Sequence, residues 1–135
     1  MELTTVSMHR INLLAPAANV ISIEDIAHSL SLICRYNGHV QQFYSVAEHS
    51  VLLSKLVPEE FAFAALLHDA AEAYTGDITG PMRAIVDISA IEARFNDVIR
   101  EKYNVKIRFD CDEIAAADRR MLMTERPELA IPGVE

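Results

Sequence analysis

His68 and Asp69 stand inside the most apolar stretch of the chain, FAFAALLHDAAEAY at 61–74, and Glu72 follows one turn later. Burying one carboxylate without a partner costs several kcal/mol. Two carboxylates and an imidazole in such a segment call for a shared counter-charge, and a divalent cation is the economical one. On a helix Asp69 and Glu72 are at i, i+3, and His68 and Glu72 at i, i+4, so all three can project to one side. A plainer reading exists: His68 caps a neighbouring helix and both acids reach solvent, as isolated His-Asp pairs commonly do. The surroundings weigh against it. Glu48-His49-Ser50 puts a second imidazole among apolar residues, and Asp118 sits in the Ala-rich run IAAADRRML. Two His and two Asp from three helices form a mixed nitrogen and oxygen set, which suits Mn, Co, Fe, Ni or Zn better than Ca. Open positions on such an ion can hold water or a phosphate oxygen.

The elements that must position these residues are mostly helical. Residues 4–14 alternate loosely and are expected to form a short hairpin or extended arm. Pro16 and Asn19 mark a turn. Ser22, with Glu24 and Asp25 behind it, starts a helix to about Cys34 that carries Ile26, Leu30 and Ile33 inward. Arg35-Tyr36-Asn37-Gly38 breaks it, since Asn-Gly favours a turn. Ser45 caps a second helix with Glu48 in the capping-box position, its apolar face predicted at Val46, Val51, Leu52 and Leu56. Pro58 stops it. A third helix is predicted over residues 59–74, apolar nearly all round and therefore central. Gly76 and Gly80-Pro81 frame a loop. A fourth helix is predicted over 88–103 with Ile91, Phe95, Val98 and Ile99 inward. A fifth is predicted over 111–125 with Ile114, Ala117, Met121 and Leu122 inward. Short connections predict a compact all-α bundle, one domain over residues 1–135.

Composition narrows the function. The net charge is −8. An acidic surface repels phosphate backbones, so a nucleic-acid polymer is a poor partner. A small phosphate ester remains possible, because one ion and one or two Arg invert the field locally. Cys34 and Cys111 are two lone thiols, as in a reduced, cytoplasmic protein. No apolar run reaches about 18 residues and no signal pattern opens the chain, so no membrane association is expected.

The ordered set His49, His68-Asp69, Asp118 resembles the H…HD…D signature of the HD phosphohydrolase superfamily. Arg35-Tyr36, Ala47-Glu48-His49-Ser50, Leu66 to Ala73 and Gly76-Asp77-Ile78 are similar to bacterial HD-type 5′-deoxynucleotidases and their phage relatives, some of which hydrolyse deoxynucleoside triphosphates. The resemblance covers about residues 23–125 and implies an HD-domain helical bundle. It implies one divalent transition metal held by His49, His68, Asp69 and Asp118. Glu72 and Asp77 would position and activate water or protonate the leaving oxygen. Arg35 would bind phosphate, and Tyr36, where these nucleotidases commonly have Trp, would pack on the nucleoside. A homo-oligomer is implied too. The family's pattern usually continues past residue 135 with helical sequence, so a short or truncated member is expected, with one wall of the pocket unaccounted for.

The roles are physically coherent. A cation neutralises the phosphate charge that repels a nucleophile and lowers the pKa of water. A guanidinium such as Arg35 clamps two phosphate oxygens. A carboxyl group such as Glu72 in a partly apolar pocket can titrate near neutrality and shuttle a proton. Arg83, after Gly80-Pro81, is a further candidate for the phosphate, though loop arginines are usually only solvated. His9, His28 and His39 read as surface, helix-end or turn residues. Three functions follow: a deoxynucleoside 5′-monophosphate nucleotidase, a deoxynucleoside triphosphate triphosphohydrolase, and a non-catalytic nucleotide-binding module. A triphosphate needs more cationic side chains, which favours the monophosphate.

Overall fold

Ser22 and Ser45 each cap a helix as their sequence context predicts. A computed structural model describes residues 1–129, with side chains to Glu125. Ser22 accepts from the Asp25 backbone N–H and opens α1 (Ile23–Leu32), while Ser45 accepts from the Glu48 N–H and opens α2 (Val46–Ser54). These contacts satisfy N–H groups that have no partner inside the first turn. The described residues are mostly helical, with one small sheet among them. Strands β1 (Glu2–Thr4) and β2 (Arg10–Asn12) pair antiparallel with Leu3 opposite Ile11. This is the expected hairpin, starting two residues earlier than the alternation suggests. Ile11 is fully buried and anchors it to the helices.

The central segment departs from the sequence expectation. In place of one helix over 59–74, a 3₁₀ turn at Glu59–Phe61 leads into α3 (Ala62–Leu67), and α4 (Glu72–Thr75) follows after a break. The cause lies in the chemistry-bearing residue itself. An unbroken α-helix would offer the Ala65 carbonyl to the Asp69 N–H. That carbonyl instead takes the His68 N–H at 3.3 Å and the His68 Nδ1 at 2.7 Å. The next turns close with i→i−3 bonds, Ala70 N to Leu67 O and Glu72 N to Asp69 O, the tighter 3₁₀ pattern.

After α5 (Gly80–Arg83), α6 (Ser89–Lys102) and α7 (Asp112–Leu129) complete the fold. Phe95 and Ile99 of α6 and Ile114, Ala117 and Met121 of α7 are buried as predicted, but Leu122 is partly exposed. Tyr74 stacks on Phe95 at 5.0 Å between ring centroids. α7 runs four residues past the predicted end at 125. The expectation for Ile131–Glu135 and for sequence beyond lies outside the described residues.

Helix α2 is rotated relative to its predicted face. Val46, His49, Ser50 and Leu53 point inward, at i, i+3, i+4 and i+7. Val51, Leu52 and Leu56, expected inward, are 44%, 41% and 47% exposed. Counting only apolar residues misplaces the stripe, because His49 occupies an inward position that a purely hydrophobic pattern reads as polar.

Candidate metal centre and adjoining cavity

His49 is fully buried on the inner face of α2, against α3 and α7. Its Nδ1 lies 2.8 Å from Glu125 Oε1. His68, at the end of α3, places its Nδ1 on the Ala65 carbonyl. A carboxylate and a carbonyl only accept, so in both rings Nδ1 carries the hydrogen. In the neutral rings this leaves the two Nε2 atoms as lone-pair donors, oriented by their own hydrogen bonds.

Those two Nε2 atoms meet the oxygens of two acids. His49 Nε2 is 3.0 Å from Asp118 Oδ1 and 3.7 Å from Asp69 Oδ2, and His68 Nε2 is 3.1 Å from Asp69 Oδ2 and 3.9 Å from Asp118 Oδ1. With the rings unprotonated, neither Nε2 has a hydrogen-bond partner among the described residues. Ligand atoms of His49, His68 and Asp118 all lie within 4.8 Å of one another, so this group can hold a metal ion. Neutral rings would set nitrogen lone pairs against carboxylate lone pairs at these distances. Only a cation, a proton or a metal ion, removes that repulsion.

The electrostatics agree with this demand. Burial lowers the proton affinity of His49, but the carboxylates of Asp118 and Glu125 outweigh it and raise the pKa to about 9. His68 is also raised, against the effect of burial, by Asp69. Burial pushes Asp69 up, but the His68 imidazole holds it down at about 2. Asp118 is lowered in the same way, burial being outweighed by His49 and His68. The cluster therefore favours a positive charge between its imidazoles and carboxylates.

Arg35 and Tyr36 reach the site through a closed loop. Val46 N bonds Ile33 O and Arg35 N bonds Tyr44 O at 2.9 and 2.8 Å, which clamps residues 35–44 at the start of α2. Tyr36, Asn37 and Gly38 all have positive φ, 56°, 53° and 81°. Asn and Gly tolerate that region, but Tyr in it costs about 1 kcal/mol or more. The strained turn delivers two donors to one carboxylate: Arg35 Nε and Tyr36 OH lie 3.1 and 3.2 Å from Glu125 Oε2. The guanidinium also lies 5.0 Å from the centre of the Tyr36 ring. Glu125 is 5% exposed, and its two oxygens thus serve His49 on one side and Arg35 with Tyr36 on the other. The Arg35 Nε is committed to Glu125, while its terminal nitrogens make no hydrogen bond among the described residues and can donate to an anion.

A cavity of about 230 Å³ adjoins this arrangement, lined by Arg35, Tyr36, Asp77, Leu122 and the backbone turn from Ile78 to Pro81. Gly76, with φ 82°, ends α4 and turns the chain toward Asp77. Burial raises the Asp77 pKa. Glu72 is buried and its Oε2 has no partner among the described residues. Burial, followed by the charges of Asp69 and Asp77, pushes its pKa well up, which favours its protonated form.

Of the residues singled out in the sequence, His49, His68, Asp69 and Asp118 come together, and Arg35, Tyr36 and Asp77 share the cavity. Arg83 does not join them. Its terminal nitrogens make a bidentate pair with Glu92 of α6 at 2.6 and 2.7 Å, and its Nε bonds Ile78 O. A guanidinium fork matches a carboxylate, and Glu92 supplies one within reach. The residue missed is Glu125. The spacing Ile114, Asp118, Met121, Glu125 carries an inward stripe, but the inward set predicted for this helix counted apolar residues only and stopped at Leu122.

No family model matches the chain. It is 50% identical over 112 residues to YfdR, an uncharacterised protein of Escherichia coli, an alignment covering 82% of this chain and 62% of that protein. It is 41% identical over 95 residues to an uncharacterised protein of Rhodobacter capsulatus, covering 64% of this chain and 48% of the relative. The chain spans about half to three-fifths of the length of these relatives. No helix among the described residues is long and apolar enough to cross a membrane.

Proposed function

We propose that the protein is a metal-dependent phosphohydrolase of the HD type that cleaves a nucleotide phosphate ester, with deoxynucleoside 5′-monophosphate as its substrate. One observation carries this reading: two imidazoles with their Nδ1 atoms fixed direct unpartnered Nε2 atoms at the oxygens of Asp69 and Asp118. A single Mn, Co, Fe, Ni or Zn ion held by His49, His68, Asp69 and Asp118 would supply a Lewis acid for the phosphoryl group and lower the pKa of water. The cavity beside the cluster supplies the rest. The terminal nitrogens of Arg35 bind the phosphate, and the Tyr36 ring packs on the nucleoside. Hydrolysis joins a water oxygen to phosphorus and breaks the bond to the ester oxygen, which leaves needing a proton. Glu72, whose protonated form burial favours, donates it, and Asp77 accepts the proton released by water.

The placement of Arg83 on Glu92 favours the monophosphate over the triphosphate reading, because it leaves Arg35 as the guanidinium lining the cavity. The presence of the full donor set with Glu72 favours turnover over a binding module. The resemblance to HD-type nucleotidases suggests a homo-oligomer whose partner is the small nucleotide, and the two lone thiols suggest a cytoplasmic setting. The test is incubation of metal-loaded protein with deoxynucleoside and ribonucleoside monophosphates and deoxynucleoside triphosphates. Inorganic phosphate released from the deoxynucleoside monophosphates is expected. Triphosphate as product, or no product from any nucleotide, overturns the reading.

A further inference from the structure

Glu125 is a buried carboxylate with donors on both oxygens, and those donors belong to two different parts of the site. Oε1 takes the Nδ1–H of His49 at 2.8 Å. Oε2 takes Arg35 Nε at 3.1 Å and Tyr36 OH at 3.2 Å. Arg35 and Tyr36 line the cavity, and His49 faces the metal cluster with its other nitrogen. A carboxylate on the far nitrogen of a ligating imidazole fixes its tautomer and raises the basicity of the ligating atom. The strength of that effect depends on how the carboxylate's charge is shared with its other donors. From this geometry we infer that Glu125 is a positioning residue that couples the Arg35–Tyr36 anion cavity to the metal centre, so that metal affinity depends on Arg35, whose Nε is bonded to Glu125.

This rests on the metal-centre reading, and metal binding itself provides the test. Chelator-stripped wild type, Glu125→Gln, Arg35→Met and the double variant are titrated with Co²⁺ by calorimetry, and the visible absorption of the bound ion is recorded. Gln keeps the size of Glu125 and can still accept, but without the charge. Glu125→Gln should weaken Co²⁺ binding about ten- to a hundredfold and shift the absorption bands. Arg35→Met frees the Glu125 charge for His49 and removes a guanidinium that opposes positive charge there, so it should tighten binding about threefold or more in the wild-type background and by clearly less beside Glu125→Gln, the non-additivity expected of one network. Wild type that binds no Co²⁺ sinks the metal centre and this inference together. Wild type that binds, with Glu125→Gln unchanged in affinity and spectrum or with additive effects of the two changes, overturns the coupling alone. Should Glu125→Gln fail to fold by circular dichroism, Tyr36→Phe removes one donor and leaves the carboxylate. It should then raise Co²⁺ affinity about twofold or more and move the absorption bands, and unchanged values overturn the inference.

Discussion

Two clusters in this molecule set histidine against carboxylate, and they differ in what is left over. Asp25, at the start of α1, takes the Ser7 N–H at 3.2 Å, the Ser7 hydroxyl at 2.6 Å and His9 Nδ1 at 3.3 Å. Its demands are met by the hairpin turn, and the cluster ties β1 and β2 to the helices. At the other site His49 and His68 have their Nδ1 atoms satisfied, yet their unprotonated Nε2 atoms point at Asp69 and Asp118 without partners among the described residues. The first arrangement is closed and the second is open to a cation. A His beside an Asp is thus not in itself a sign of function; a pair whose lone pairs converge without resolution is. The predictions below press on that difference, from the largest expected effect to the smallest.

Breaking the open site should abolish metal binding. His68→Ala or Asp118→Ala should reduce metal from about one ion per chain to near none by elemental analysis. A metal held at a hundred times its Kd stabilises a folded protein by about 2.7 kcal/mol. Wild type should show that gain in thermal unfolding and the two variants should not. Asp25→Ala should keep the full gain.

Glu72→Gln removes a proton donor without removing a ligand. It should lower kcat at least about a hundredfold, with metal content and Tm near wild type. An active Glu72→Gln enzyme would move the proton transfer to Asp77.

Breaking the closed site should act on the fold alone. Asp25→Ala should destabilise the protein by about 1–3 kcal/mol through its lost buried hydrogen bonds and leave kcat/KM unchanged. The two sites should also respond to pH with opposite signs. Burial raises the Asp25 pKa, but hydrogen bonds from Ser7, Thr5 and His9 outweigh it and the pKa is lowered from 3.8. Its stabilisation is present above that value and lost as pH falls toward the folded pKa. The His49 pKa is raised from 6.5 to about 9 in the metal-free protein. Its stabilisation is complete below 6.5 and lost as pH rises through about 9. Melting curves of metal-free protein should therefore show a Tm that falls between pH 6.5 and 9, a fall that excess metal removes. A metal-free Tm that rises over that window would contradict the assignment.

Arg83→Ala should do least. It breaks a partly exposed pair with Glu92, worth about 0.5 kcal/mol, and should leave KM for the monophosphate within about twofold. A tenfold rise would return Arg83 to the phosphate site.

Much of the site was legible because its residues violate their surroundings. His68, Asp69 and Asp118 are polar residues in Ala-rich segments, and that mismatch shows without a structure. The helix starts at Ser22 and Ser45 were legible because capping is local. What stayed hidden depends on tertiary contacts. The face of α2 was set by His49 turning inward, so Val51, Leu52 and Leu56 were assigned to the wrong side. The break at His68–Ala71 comes from a side chain competing for the Ala65 carbonyl, which no helix propensity encodes. Glu125 was missed because its partners lie far away in sequence, at Arg35, Tyr36 and His49, where only the packing of α7 on α2 brings them.

The most direct test of the central claim reads the imidazole nitrogens themselves. The chain has five histidines. Protein labelled with ¹⁵N and stripped of metal is titrated with Zn²⁺, and the ring nitrogens are followed by long-range ¹H–¹⁵N spectra. Two histidines, His49 and His68, should shift at one equivalent, each with Nδ1 protonated and Nε2 bound, while His9 on Asp25 stays in place. Zn²⁺ that moves His9, or that leaves both His49 and His68 unshifted, would contradict the account.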